Sequence, residues 1–291
     1  MSQRENPFQG SLVALPTPFR NGHIDFDALR ALVELQAQSK TNGIVVGGST
    51  GEGASLDAKE RCSLLSFCSG VAAGRLPVLA GITATSTREA VTKAQEAKSC
   101  GARGLLLSAP IYLRPQQRGI LEHFHQVAAA TPLPIVLYDI PKRTGVSIEL
   151  STLIQAHELC PNIVALKASA NLDQLEQAVH AGIEVLCGED AWIVESLQAG
   201  AKGAISVIGN LVPKQLKGLI AEIHDQELAA QRMETLRPLI QALALEPNPV
   251  PLKKALSRLG YGLPEVRLPL MELAPEHDAQ QISAMQACGL L

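Results

Sequence analysis

Aromatic residues are scarce: five Phe, three Tyr and one Trp in 291 positions. So few rings cannot build a base-stacking platform for nucleic acid. Neither charge dominates, with 25 Lys and Arg against 28 Asp and Glu. There is thus no basic field for a polyanion and no acidic tail. No apolar run approaches the roughly 20 residues that cross a bilayer, so no membrane association is expected. The opening MSQRENPFQG has no cationic stretch leading into an apolar one, so no leader is expected. The six cysteines, at 62, 68, 100, 160, 187 and 288, include no CxxC pair. A chain of this length buries a core without a disulfide framework, and all six are expected to be reduced, mostly buried thiols of a cytoplasmic protein. Neither GxGxxG nor GxxxxGK[ST] occurs, which removes the usual glycine-rich phosphate cradles.

What is present is aliphatic and tightly turned: 46% of residues are apolar, with 23 Gly and 18 Pro. Short, continuously apolar runs recur at 11–15, 43–48, 77–81, 104–109, 134–139, 163–167, 184–188 and 203–208. Continuous rather than alternating apolarity suits strands buried on both faces of a parallel sheet. Between them lie amphipathic stretches. Asp25 is placed to cap a helix with Phe26, Leu29 and Val33 on one side, and Ser86 with Glu89 has the pattern of a capping box. Eight βα units over residues 1–212 predict an α/β fold, a (β/α)8 TIM barrel. A doubly wound sheet is the alternative, but it usually has fewer strands. Residues 213–291 show no long strand candidate, and Leu228, Met233, Leu236, Ile240 and Leu243 form a helical stripe that Pro238 breaks. Stretches 251–260 and 278–288 also look helical, so residues 213–291 are expected to form a C-terminal helical extension packed on the barrel.

Barrel active sites lie at the C-terminal ends of the strands, so the polar residues that end the apolar runs carry the functional question. The second run ends in Gly47-Gly48-Ser49-Thr50-Gly51-Glu52, the fifth in Tyr138, the sixth in Lys167, and the seventh in Gly188-Glu189-Asp190, while the eighth passes through Ile205. A lysine directly after Ile-Val-Ala-Leu is desolvated, which favours the free amine needed to form an imine with a carbonyl. A lysine that snorkels from the barrel mouth, or pairs with Glu189, is the plainer alternative. Tyr138, on the neighbouring strand, can shuttle protons to such an imine or simply be a core tyrosine. Ser49-Thr50-Gly51 offers hydroxyls and turn amides to a small carboxylate, and Arg143 offers a bidentate clamp, although each also occurs in ordinary turns and loops. His123 and His125 stand two apart on a helical stretch and so point to different faces; no metal site is expected.

Together these residues resemble the pyruvate-dependent class I aldolase superfamily, which includes N-acetylneuraminate lyase and dihydrodipicolinate synthase. The shared pattern is Gly48-Ser49-Thr50-Gly51-Glu52, then Pro110-Ile111-Tyr112 with Arg114-Pro115, then Leu137 through Gly145, then Lys167. The stretches 246–253 and 267–270 look like the synthase branch. The resemblance implies that Lys167 forms an imine with pyruvate, whose enamine attacks L-aspartate 4-semialdehyde. Tyr138 would move protons, in a relay with Ser49 and with Tyr112 reaching across a tight dimer interface. Thr50 and Ser49 would hold the pyruvate carboxylate, Ile205 would line the site through its backbone, Gly188 would border the substrate, and Arg143 would bind the semialdehyde carboxylate. It also implies a homotetramer of two tight dimers and no cofactor, the lysine supplying the electron sink. Another pyruvate aldolase, cleaving a sialic acid or a 2-keto-3-deoxy sugar acid, is the competing function; Arg143 suits the short substrate with its own carboxylate. The pattern has departures. Ser49 stands where the synthase branch commonly has Thr, and the loop after Lys167 is one residue short. Relatives inhibited by lysine carry a tyrosine, an asparagine and a histidine where this chain has Ile111, Thr85 and Ala58, with Glu89 kept.

Overall fold

Eight short strands in the computed structural model fall on the eight apolar runs: β1 (Gly10–Ala14), β2 (Gly43–Val46), β3 (Val78–Ile82), β4 (Gly104–Ser108), β5 (Ile135–Asp139), β6 (Ile163–Ala168), β7 (Val185–Cys187) and β8 (Gly203–Ser206). The structure describes residues 6–291; the expectation of no leader rests partly on residues 1–5, which lie outside it. Each strand pairs in parallel with its sequence neighbour, and β8 pairs with β1 to close the barrel. A small antiparallel hairpin, Phe19–Arg20 with His23–Ile24, follows β1.

Alternate residues point into the barrel. Leu12, Val45, Leu79, Leu106, Val136, Leu186 and Ile205 form one buried cluster there, with Phe8 beneath them. Gly104 leaves room for the Phe8 ring, whose Cε2 would lie 2.6 Å from any Cβ at that position. The other set of strand residues packs outward against the helices, in a larger cluster that includes Val13, Ile44 and Leu137.

The helices are α1 (Phe26–Gln38), α2 (Ala58–Ala72), α3 (Thr87–Ser99), α4 (Gln117–Ala129), α5 (Pro141–Thr144), α6 (Leu150–Leu159), α7 (Leu172–His180), α8 (Ile193–Gln198), α9 (Pro213–Ala221), α10 (Gln226–Leu243), α11 (Val250–Arg258) and α12 (Asp278–Ala287). Asp25 caps α1, accepting from Ala28 N at 3.1 Å. Ser86 caps α3, but the return half of the expected box is missing: Glu89 accepts from Thr85 N instead. The full capping box is at α2, between Asp57 and Glu60.

Residues 213–291 carry the helices α9 to α12, as the pattern implied, joined by loops of which the longest spans 259–274. Their first helix, α9, packs on β1 and serves as the last helix of the barrel wall. Pro238 lies inside α10 and does not end it. A proline interior to a helix forfeits one backbone bond and costs stability, and here Met233, Leu236, Leu239 and Leu243 bury one face on both sides of it. The reading of six reduced cysteines needs correction, because Cys62 and Cys100 form a disulfide with Cα atoms 5.5 Å apart. Cys62 lies on α2 and Cys100 caps α3, two helices that pack side by side on the barrel. They stand 38 residues apart on successive outer helices, whose packing brings them together without any local sequence signal. Cys68, Cys160 and Cys187 are buried thiols.

Candidate active site

A cavity of about 520 Å³ opens at the C-terminal ends of the strands. Ser49, Tyr138 and Arg143 line it. Lys167 stands beside them. It is opposite Tyr138 in the β5–β6 register, is only 4% exposed, and holds its Nζ 4.2 Å from the centre of the Tyr138 ring. Both side chains point inward for the same reason: Tyr138 follows Val136, and Lys167 follows Ala165, by two residues along strands whose inward set is apolar. The apolar interior thus ends, at its open rim, in one amine and one phenol.

Gly188 closes on the lysine from β7. An ideal Cβ there would lie 2.9 Å from Lys167 Cε and 2.8 Å from Ala168 O, so only glycine lets the strand end pass this close. Two carboxyls follow it. Asp190 is half-buried and accepts from Val207 N at 3.1 Å and Ile208 N at 2.7 Å. Burial pushes its pKa up, against the pull of Ser206, those amides and the Lys167 charge. Burial also raises Glu189, which Lys142 and Lys167 oppose; Lys142 Nζ is 4.0 Å away. Burial raises Asp139 as well, and it accepts from Ile148 N at 3.0 Å, fastening the loop after α5.

Arg143 sits on α5, a single turn started by Pro141 and ended by Gly145 at φ 75°. Its Nη2 donates to Asn248 O at 2.9 Å. Asn248 Nδ2 in turn donates to Thr50 Oγ1 at 2.9 Å. One residue of the C-terminal extension therefore bridges the two side chains expected to hold the two substrate carboxylates. Sequence reasoning assigned Asn248 no role, although it lies in the 246–253 stretch that marks the synthase branch. Ser108 was also missed: it is opposite Tyr138 in the β4–β5 register, lines the cavity, and has a buried hydroxyl with no hydrogen-bond partner among the described residues. Its signal was only its place at the end of an apolar run.

Not every expected residue converges. Ile205 is fully buried in the barrel interior, in the same cluster as Tyr138, and, like Lys167, Thr50 and Gly188, is not on the cavity lining. Tyr112 does not meet Tyr138 within one chain. It is 86% exposed, with φ 71°, while its neighbour Ile111 lines the cavity. His123 is buried on α4 and shares a hydrogen bond with Thr87 Oγ1 at 3.1 Å, whereas His125 is exposed, so the HxH pair faces two ways. Among the described residues no cluster of His, Cys, Asp and Glu has the arrangement of a metal site.

Comparison with known proteins agrees with this geometry over almost the whole chain. The model of the dihydrodipicolinate synthetase family matches residues 7–288. A 4-hydroxy-tetrahydrodipicolinate synthase of Oleidesulfovibrio alaskensis is 38% identical over 290 residues, covering 98% of this chain and 99% of that one. The enzyme of the same description from Aquifex aeolicus is 40% identical over 277 residues, 93% of this chain and 94% of its own. The crystal structure of dihydrodipicolinate synthase from Aquifex aeolicus superimposes with a TM-score of 0.94 at 38% identity, covering 97% of this chain and 99% of that one.

Proposed function

The chain belongs to the dihydrodipicolinate synthetase family, and from that premise we propose that it condenses pyruvate with L-aspartate 4-semialdehyde through an imine on Lys167. The observation that carries the mechanism is the pairing of Lys167 with Tyr138 on adjacent strands, the amine 4.2 Å from the phenol ring. The Lys167 amine adds to the pyruvate carbonyl and water leaves, with the proton for that leaving oxygen supplied through Tyr138. Loss of a methyl proton gives the enamine, whose carbon attacks the aldehyde. The amine of the semialdehyde then displaces Lys167 from the former carbonyl carbon, closing the heterocycle and freeing the lysine. The lysine nitrogen is the electron sink, so the reaction needs no metal or organic cofactor.

Ser49 and Thr50 hold the pyruvate carboxylate with their hydroxyls and turn amides, and Gly188 leaves the space into which the imine carbon swings. The Ile205 backbone borders the same space. Arg143 takes the carboxylate of the semialdehyde, a planar fork matched to a planar anion. That arginine, held against Asn248 O, favours this short acidic aldehyde over a sugar-derived one.

The exposed Tyr112 fits a site completed by a second copy, in which the phenol of one chain joins Ser49 and Tyr138 of the other in a proton relay. The assembly we propose is a homotetramer of two such dimers, working in the cytoplasm; no helix among the described residues is long and apolar enough to cross a membrane. Borohydride added with pyruvate should leave a three-carbon adduct on Lys167 and abolish activity. Full activity in Lys167→Ala, or labelling of Lys253 instead, would overturn the assignment.

A further inference from the structure

Behind the Ser49–Thr50 turn lies a second lysine that the reaction does not use. Lys253, on α11, is only 2% exposed in its side chain, and its Nζ pairs with the Glu52 carboxylate, itself only 3% exposed. The same Nζ donates to Glu265 O at 2.8 Å and stands 4.1 Å over the Phe19 ring. The other Glu52 oxygen accepts from Arg267 N at 2.9 Å. Glu52 therefore spends both oxygens on the C-terminal extension while its backbone belongs to the turn that ends β2.

That backbone is unusual. Glu52 has φ 51°, in the left-handed region that side chains other than glycine avoid. The turn around it is wound tightly: Glu52 N donates to Ser49 O at 3.2 Å, Gly53 N to Gly48 O at 3.0 Å, and Thr17 Oγ1 to Gly51 O at 2.6 Å. A buried ion pair is a poor source of stability compared with apolar packing, but it fixes geometry, because a single partner left alone is heavily penalised. Asn248, five positions before Lys253, holds the front of the same turn through Thr50 Oγ1.

We propose that Glu52, which itself borders the cavity, and Lys253 are positioning residues for the pyruvate carboxylate, locking the Ser49–Thr50 turn at its Glu52 end so that its hydroxyls and amides face the substrate. The proposal rests on the reading that this turn binds pyruvate. It predicts a specific failure: loss of the pair loosens the carboxylate site while Lys167 and Tyr138, on other strands, keep their chemistry.

The experiment is borohydride trapping of the pyruvate imine across a range of pyruvate concentrations, in the full chain and in Glu52→Gln, Lys253→Met and the combined variant. Thermal melts establish that each is folded. Either single change should raise half-saturating pyruvate roughly tenfold or more, with labelling at saturation kept within about threefold. The combined variant, which leaves no buried charge alone, should be no worse than the weaker-binding single one. The KM for the semialdehyde should move by less than about threefold, a split that general loosening does not produce. An unchanged half-saturation in folded variants would overturn the proposal. So would equal shifts for both substrates, or unfolding of all three variants, which would make the pair purely structural. Absence of labelling in the unmutated chain would instead overturn the imine reading itself, and this proposal with it.

Discussion

Replacing Gly188 by alanine adds a single methyl group against the Lys167 side chain. The new Cβ would stand 2.9 Å from Lys167 Cε, 2.8 Å from Ala168 O, and inside contact distance of Ser169 Oγ. Ordinary carbon contacts are about 3.5–4.0 Å, so the lysine must retreat by about 0.5–1 Å. Ala168 O cannot give way, because it is a strand carbonyl that accepts from Gly188 N at 2.8 Å. Overpacking of this kind costs about 1–3 kcal/mol of stability, and a misplacement near 1 Å of a reacting group costs on the order of 10²-fold in rate. Urea melts and initial rates with both substrates read the two quantities separately. Adding Ser169→Gly removes the hydroxyl contact at no cost in hydrogen bonds, since that Oγ is buried without a partner among the described residues. The double variant should regain part of the stability and little of the activity. Wild-type turnover in a folded Gly188→Ala chain would refute the reasoning, as would full recovery in the double variant, which would show that Ser169 rather than Lys167 feels the methyl.

Arg143→Ala should raise KM for the semialdehyde by roughly tenfold or more and that for pyruvate much less, because a charge-assisted fork is lost from one substrate only; equal effects would remove the argument for an acidic aldehyde. L-Lysine at millimolar concentration should not inhibit. Glu89 is already taken by Lys93 at 2.6 Å and by Thr85, while Ile111 and Ala58 offer no polar group, and losing such partners weakens binding by at least about 10²-fold; half-inhibition below about 1 mM in a steady-state assay would contradict this. His123 gives the fold a pH dependence. Burial lowers its pKa to about 4, well below the usual imidazole range, so the unfolded chain binds the proton more tightly, and stability falls as pH drops from about 6.5 towards 4, by up to about 3 kcal/mol. Denaturant titrations should show a shallower slope over that range in His123→Gln.

The strands were legible because each is buried on both faces and so reads as an unbroken apolar run, and the residue ending each run marks the functional rim. Lys167 and Tyr138 follow directly from that logic. Long-range closure was not legible. Asn248 meets Thr50 across 198 residues and Lys253 meets Glu52 across 201, separations that no periodicity encodes. Cys62 and Cys100 escaped for the same reason: they meet sideways, between outer helices, where sequence spacing carries no information. Tyr112 was readable as a motif residue, but its outward pose shows that one chain alone does not bring it to the site. Pro238 misled because local backbone preference was outweighed by burial along α10.

The reach of Arg267 and Asn248 back to the β2 turn also has a consequence for biosynthesis. All eight strands exist once residue 206 has been made, yet the turn that ends β2 is still bare on the side where Asn248, Lys253 and Arg267 N will bond to it, the last of these 215 positions beyond Glu52. At roughly 5–20 residues per second, a ribosome needs on the order of several seconds more to supply that segment. Through that interval the Ser49–Thr50 turn lacks the partners that Asn248, Lys253 and Arg267 supply in the finished chain. A transcript cut short after the last strand would encode Lys167 and the β2 turn but none of the three residues that fasten that turn, nor α9, the last helix of the barrel wall.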